Sequence, residues 1–127
     1  MSNIQNSDRK YDLEERLIDF ALLIDEIVEH LPSSQLGSHL AGQIIRSGTS
    51  PALNYGEAQS AESQKDFIHK IQIILKELKE TRIALKIICK KPLMDTSIVN
   101  PVLNENEELI AIFAKSIKTA KSKMINL

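Results

Sequence analysis

The sequence predicts an all-α fold, an antiparallel up-down four-helix bundle, and three observations lead there. Apolar residues recur at three- and four-residue spacing through four separate segments, the period of an amphipathic helix. Capping and stop signals, rather than glycine-rich turns, separate those segments, and Gly and Pro number four each in 127 residues. Aromatic residues make up only 4%, with no Trp, which disfavours a β fold with a turn about every 8–12 residues.

The first helix is expected from Asp12 to Leu31, with apolar positions at Leu13, Leu17, Phe20, Ala21, Ile24, Ile27, Val28 and Leu31. Asp12, Glu14 and Glu15 crowd its first turn, where the helix dipole favours negative charge. Leu31-Pro32-Ser33-Ser34 ends it, and Ser33 or Ser34 can cap the next helix. That second helix should run from Ser34 to Ala61, with a kink near Ser47–Ser50 because Pro51 lacks a backbone donor. Gly48 and Gly56 weaken it further, so packing must hold it.

A capping box with Asp in place of Glu, Ser63-x-x-Asp66, opens the third helix. Phe67, Ile71, Ile74, Leu78, Thr81, Leu85 and Ile88 then alternate by four and three, the seam of left-handed bundle packing. Lys90-Lys91-Pro92 stops it. The fourth helix is expected from Asn100-Pro101, as cap and first-turn proline, or from one turn earlier. Its apolar positions are Ile110, Phe113, Ile117, Ala120 and Met124. Short connections make neighbouring helices antiparallel. Residues 1–10 read as a flexible polar tail and residues 11–127 as one bundle domain.

Hydrophobic residues at 43% and charged residues at 26% fit a water-soluble globular protein. No apolar run approaches the roughly 18 residues that span a bilayer, and the polar N-terminus lacks a signal-peptide core. A cytoplasmic location is therefore expected. Cys89 is the single cysteine; it has no disulfide or metal partner and is expected as a small, partly buried side chain near a helix end.

A net charge of −1 gives no global pull toward nucleic acid, yet its distribution is uneven. Residues 1–32 carry three basic and eight acidic groups, whereas residues 63–91 carry eight basic and three acidic. The simplest arrangement for such asymmetry packs the acidic first helix beside the basic third.

The second helix is short of charge: from Ser33 to Ser60 only Arg46 and Glu57 are charged. At about 100° per residue, Leu40, Ala41, Ile44, Ile45, Gly48, Ala52 and Tyr55 form its core side. His39, Gln43, Arg46, Ser50, Leu53, Asn54 and Glu57 form the other. Depletion of Lys and Glu with retention of Arg marks interface centres. The third helix has a second stripe too, Ile73, Ile83 and Ile87 beside Glu77 and Glu80. Two readings stay open here. Arg46, Ser50, Asn54, Glu57, Glu77 and Glu80 order contacts between subunits, or they form a polar layer within one bundle, with Arg46 paired to Glu80.

The pattern Arg46-x-x-x-Ser50-x-x-x-Asn54-x-x-Glu57, followed by Ser63-x-x-Asp66-Phe67-Ile68-His69-Lys70, resembles a bacterial four-helix-bundle family. That family is named for reading frames in intervening sequences of 23S rRNA genes. Leu75-Lys76-Glu77-Leu78-Lys79-Glu80-Thr81-Arg82 resembles one of its subgroups, and the likeness spans about residues 12–124. The resemblance implies a ring-like homopentamer. It also implies kinship with the basic, nucleic-acid-binding accessory protein of diversity-generating retroelements. The matching positions are Arg46, Ser50, Asn54, Glu57, Ser63, Phe67 and Glu80, while Tyr55-Gly56 and Ala58 depart from the pattern.

Catalytic templates are incomplete. Di-iron bundles need two Glu-x-x-His motifs, and this chain has one Asp66-x-x-His69. His30, His39 and His69 fall on different helices without ligand spacing. Ser47 and Ser50 sit inside a helix, where hydroxyls bond backbone carbonyls. No phosphate-binding glycine loop is present. No cofactor, metal or small-molecule substrate is expected. Lys76, Lys79, Arg82, Lys86 and Lys90 form a basic ridge on the third helix, without the aromatics that stack single-stranded bases. The expected role is a non-enzymatic homo-oligomeric scaffold or adaptor, pentameric by the resemblance. The alternative is a nucleic-acid-binding accessory protein that uses the ridge.

Overall fold

The computed structural model describes residues 12–125; the tail expected over residues 1–10 lies outside them. Four helices follow one another: α1 (Leu13–His30), α2 (Gln35–Gln59), α3 (Gln64–Lys90) and α4 (Thr96–Ile125). Side-chain oxygens cap the first three. Asp12 accepts from the Glu15 N–H, Ser34 from Gly37 and Ser63 from Asp66, each at 3.1 Å. Every one of these bonds satisfies an amide that has no partner within its helix.

The fourth helix begins a turn before Asn100-Pro101. The Asp95 carboxylate accepts from the Ser97 N–H at 2.9 Å and the Asp95 carbonyl from Ile98 at 3.1 Å. Hydrogen bonds from the Ser97 N–H and hydroxyl hold the Asp95 carboxyl below its ordinary range. A good acceptor at this position starts the helix earlier, and Pro101 then falls in the second turn, where its fixed φ still fits a helix. In α2, Pro51 likewise lies inside one helix that runs unbroken from Gln35 to Gln59. The Thr49 hydroxyl just before it donates to the Ile45 carbonyl at 2.6 Å.

Each helix packs against its sequence neighbours, and α4 closes the ring against α1. By contrast, α1 and α3 are diagonal across the core, and their backbones do not approach closely. The expectation that acidic α1 lies beside basic α3 is therefore corrected. Up-down connectivity sets consecutive helices side by side, which leaves alternate ones across the core. The two charged helices consequently face opposite sides of the molecule.

Leu17, Phe20, Ile24 and Ile27 of α1 meet Leu40 and Ile44 of α2 in the core. Ile71, Ile74, Leu78, Leu85 and Ile88 complete the α3 seam, and Val99, Val102, Leu109 and Phe113 come from α4. Close-packed burial of this kind supplies most of the stability that short helices lack alone. One ion pair fastens α1 to α4. The Arg16 guanidinium donates to both Glu105 carboxylate oxygens at 2.7 and 2.8 Å and to Glu108 at 3.2 Å. Among the described residues, no helix is long and apolar enough to cross a membrane.

Candidate interaction surfaces

The α2 residues that stood out for their low charge lie on the outside of the bundle. Arg46 is exposed and donates to Gln43 Oε1 at 2.9 Å, one turn back on its own helix. The Asn54 side-chain amide donates to Ser50 twice, to the hydroxyl at 2.8 Å and to the carbonyl at 3.0 Å. Glu57 forms an ion pair with Lys70 of α3 at 3.1 Å. In the middle of this face Leu53 is 71% exposed. Ser50, Asn54 and Arg46 thus make bonds along α2 rather than across the core.

No ion pair joins Arg46 to Glu80. Glu77, half-buried on α3, is the carboxylate that feels Arg46. Burial and then the like charge of Glu80 push its carboxyl upward, against the pull of Lys76 and Arg46. The polar layer inside the bundle is built from other residues. Ser47 and Thr81 are buried, with their hydroxyl oxygens 2.8 Å apart. Asn106, fully buried on α4, donates to the Leu78 carbonyl at 3.2 Å. Its own oxygen and the Arg82 Nε have no partner among the described residues.

The basic ridge divides in two. Lys76, Lys79, Lys86 and Lys90 are exposed, whereas Arg82 is half-buried and leans on Glu107 of α4 at 3.5 Å. Lys76 and Lys79 stand on the rim of an open groove of about 600 Å³ between α3 and α4. Leu75, Ile83 and Ile117 make its apolar floor, and Lys121 of α4 adds a third cation. Ile83 and Ile87 are 54% and 40% exposed. Sequence periodicity flagged Ile83, Lys76 and Lys79 on α3 and Ile117 as an apolar position of α4, but did not bring Ile117 and Lys121 to this groove. Their closeness to Ile83 depends on how α3 and α4 are rotated against each other, which helical period alone does not state.

His30, His39 and His69 are exposed on separate helices. Among the described residues no group of three or more His, Cys, Asp or Glu side chains could hold a metal ion. Cys89 is half-buried near the end of α3, with its sulfur 3.9 Å from Asn100 Oδ1.

Comparison with known proteins adds two findings. A crystal structure of a protein with unknown function from the S23 ribosomal protein family of Bacteroides thetaiotaomicron superposes with a TM-score of 0.77. It is 30% identical and covers 83% of this chain and 97% of its own. No functionally curated protein matches. The family model for 23S rRNA-intervening sequence proteins matches residues 9–115. With most of the chain inside that match, and the bundle in place, the chain belongs to the 23S rRNA-intervening sequence protein family.

Proposed function

We propose that the chain is a non-enzymatic scaffold or adaptor of the cytoplasm that works as a homo-oligomer through the outer face of α2. The carrying observation is Leu53, 71% exposed at the centre of a helix face almost without charge. A solvated helix face ordinarily carries charge every turn or so. Low charge around an exposed leucine, with Arg46 retained, has the composition of an interface centre. Arg46, Ser50, Asn54 and Glu57 direct the contact, with Glu77 near Arg46. The resemblance to pentameric relatives sets the expected size.

Native mass spectrometry of the purified chain tests this reading. A species near five times 14.3 kDa is expected. Leu53→Asp, or Arg46→Ala with Glu57→Ala, should dissociate it while the helical circular dichroism persists. A wild-type monomer at micromolar concentration overturns the proposal.

One observation favours a second reading, a nucleic-acid-binding accessory protein. The exposed Lys76, Lys79, Lys86 and Lys90 point away from acidic α1 and are not neutralised by it. This reading expects binding that weakens steeply between low and physiological salt, as counterion release requires. Absence of binding at low salt removes it.

A further inference from the structure

We infer that the outer face of α1 in one copy docks into the α3–α4 groove of a second copy. This rests on the self-association proposed above and adds a contact separate from the α2 face.

The groove is amphiphilic, with Leu75, Ile83 and Ile117 beneath and Lys76, Lys79 and Lys121 around them. None of these lysines forms an ion pair with a described residue, and Glu80 is the one acid on the rim. Its occupant should therefore offer apolar side chains flanked by carboxylates. Such a surface exists on this chain. Ile18 and Leu22 of α1 are 39% and 63% exposed, one turn apart on the same side. Glu15, Asp25, Glu26 and Glu29, all exposed, surround them on that side at helical spacing. No described cation pairs with any of the four.

Two complementary patches could in principle close on each other within one molecule, but here they cannot. Because α1 lies diagonally across the core from α3, with no close backbone approach, and Ile18 and Leu22 face away from that core, the acidic patch and the basic groove lie on different sides of the bundle. They meet only between copies. A contact of one surface with a different surface is head-to-tail, so each copy keeps one donor and one acceptor patch, and the assembly extends until it closes on itself. Opposite charges at the rim also fix the docking direction and speed encounter. The uneven charge along the chain, −5 over residues 1–32 and +5 over residues 63–91, then serves recognition between copies.

A charge-swap experiment tests the contact. One variant reverses the groove (Lys76→Glu, Lys79→Glu, Lys121→Glu), and the other reverses α1 (Glu15→Lys, Asp25→Lys, Glu26→Lys). Native mass spectrometry should find each variant alone reduced to smaller species than wild type. An equimolar mixture should form mixed species, larger than either variant gives alone, in which the two chains alternate. Unchanged mass in either variant, or a mixture that stays dissociated, overturns the inference while leaving the α2 contact standing. A monomeric wild type overturns both, as does wild-type monomer that carries nucleic acid, which would assign the lysines to phosphate. Leu22→Gln and Ile83→Gln, neutral changes at exposed positions, carry the same expected loss of mass should charge reversal disturb folding.

Discussion

The hydroxyl of Ser47 on α2 lies 2.8 Å from that of Thr81 on α3, and both residues are sealed from solvent. Thr81 also donates to the Glu77 carbonyl at 2.9 Å. With its only proton committed there, Thr81 accepts and Ser47 donates. The pair gives the α2–α3 contact a directed bond within an otherwise apolar seam.

This polarity predicts unequal mutants. Thr81→Val leaves the buried Ser47 hydroxyl without its acceptor and should cost about 1–3 kcal/mol. Ser47→Ala spares the Thr81 donor bond and should cost only about 0.5–1.5 kcal/mol. The double change should cost less than the sum, since no orphan remains. Urea denaturation of the four proteins measures all three values. Strict additivity would show that the hydroxyls are not coupled.

At Gly48 the α2 backbone lies close against α1. A Cβ there would lie 2.6 Å from Ile24 Cγ1 and 2.8 Å from Cγ2, and Ile24 is fully buried. Gly48→Ala should therefore destabilise, because overpacking of about 1–3 kcal/mol exceeds a helix-propensity gain of up to about 1 kcal/mol. Ile24→Ala in the same chain should recover part of the loss. At Gly42 and Gly56 an added Cβ meets nothing within 4 Å, so alanine at either should stabilise by about 0.5–1 kcal/mol. Thermal melts of the three single variants check the opposite signs.

These residues mark how far the sequence could be read. Burial of Ile71, Ile74, Leu78, Thr81, Leu85 and Ile88 follows from a heptad, because period decides which side of a helix faces the core. That Ser47 is the partner of Thr81 does not follow, since the axial register of α2 on α3 is set by tertiary packing. The same limit explains why Gly48 and Gly56 look alike as helix breakers and differ in place. It also explains the Arg46–Glu80 pair, inferred from two stripes on adjacent helices, where Arg46 instead bonds Gln43. At α4 the local signal Asn100-Pro101 left two starts open, and the Asp95 carboxylate fixes the earlier one. That Arg46, Ser50, Asn54 and Glu57 share the side of α2 away from its core residues was legible from helical period and composition, whereas the sequence left open whether that side faced outward or into a polar layer.

Arg16 joins the least extensive helix contact, α1 against α4, through two parallel bonds to Glu105. The planar guanidinium matches a carboxylate in a way that an ammonium cannot. Arg16→Lys should thus recover little of what Arg16→Ala loses, expected at about 1.5–3 kcal/mol for bonds to charged groups in a partly buried place. Hydrogen exchange should report the loss chiefly as faster opening of α1. Full retention of stability by the lysine variant would assign the contact to charge alone.

Glu77 offers a pH-dependent test. Burial, with the Glu80 charge added, raises its carboxyl above the ordinary 4.5 despite attraction from Lys76 and Arg46. As pH rises from 4.5, the unfolded chain releases this proton before the folded one does. The folded state then holds more protons, and stability from this group falls through that interval. It is fully present below pH 4.5 and lost once pH exceeds the raised folded value. Glu77→Gln removes the titration and keeps the shape. The variant should match wild type below about pH 4 and melt higher than wild type at pH 7, with the gap opening in between. Melts at matched protein concentration are needed, because assembly makes melting temperature depend on concentration. A variant less stable than wild type at pH 7 would mean that Lys76 and Arg46 hold the ionised carboxylate more strongly than burial opposes it.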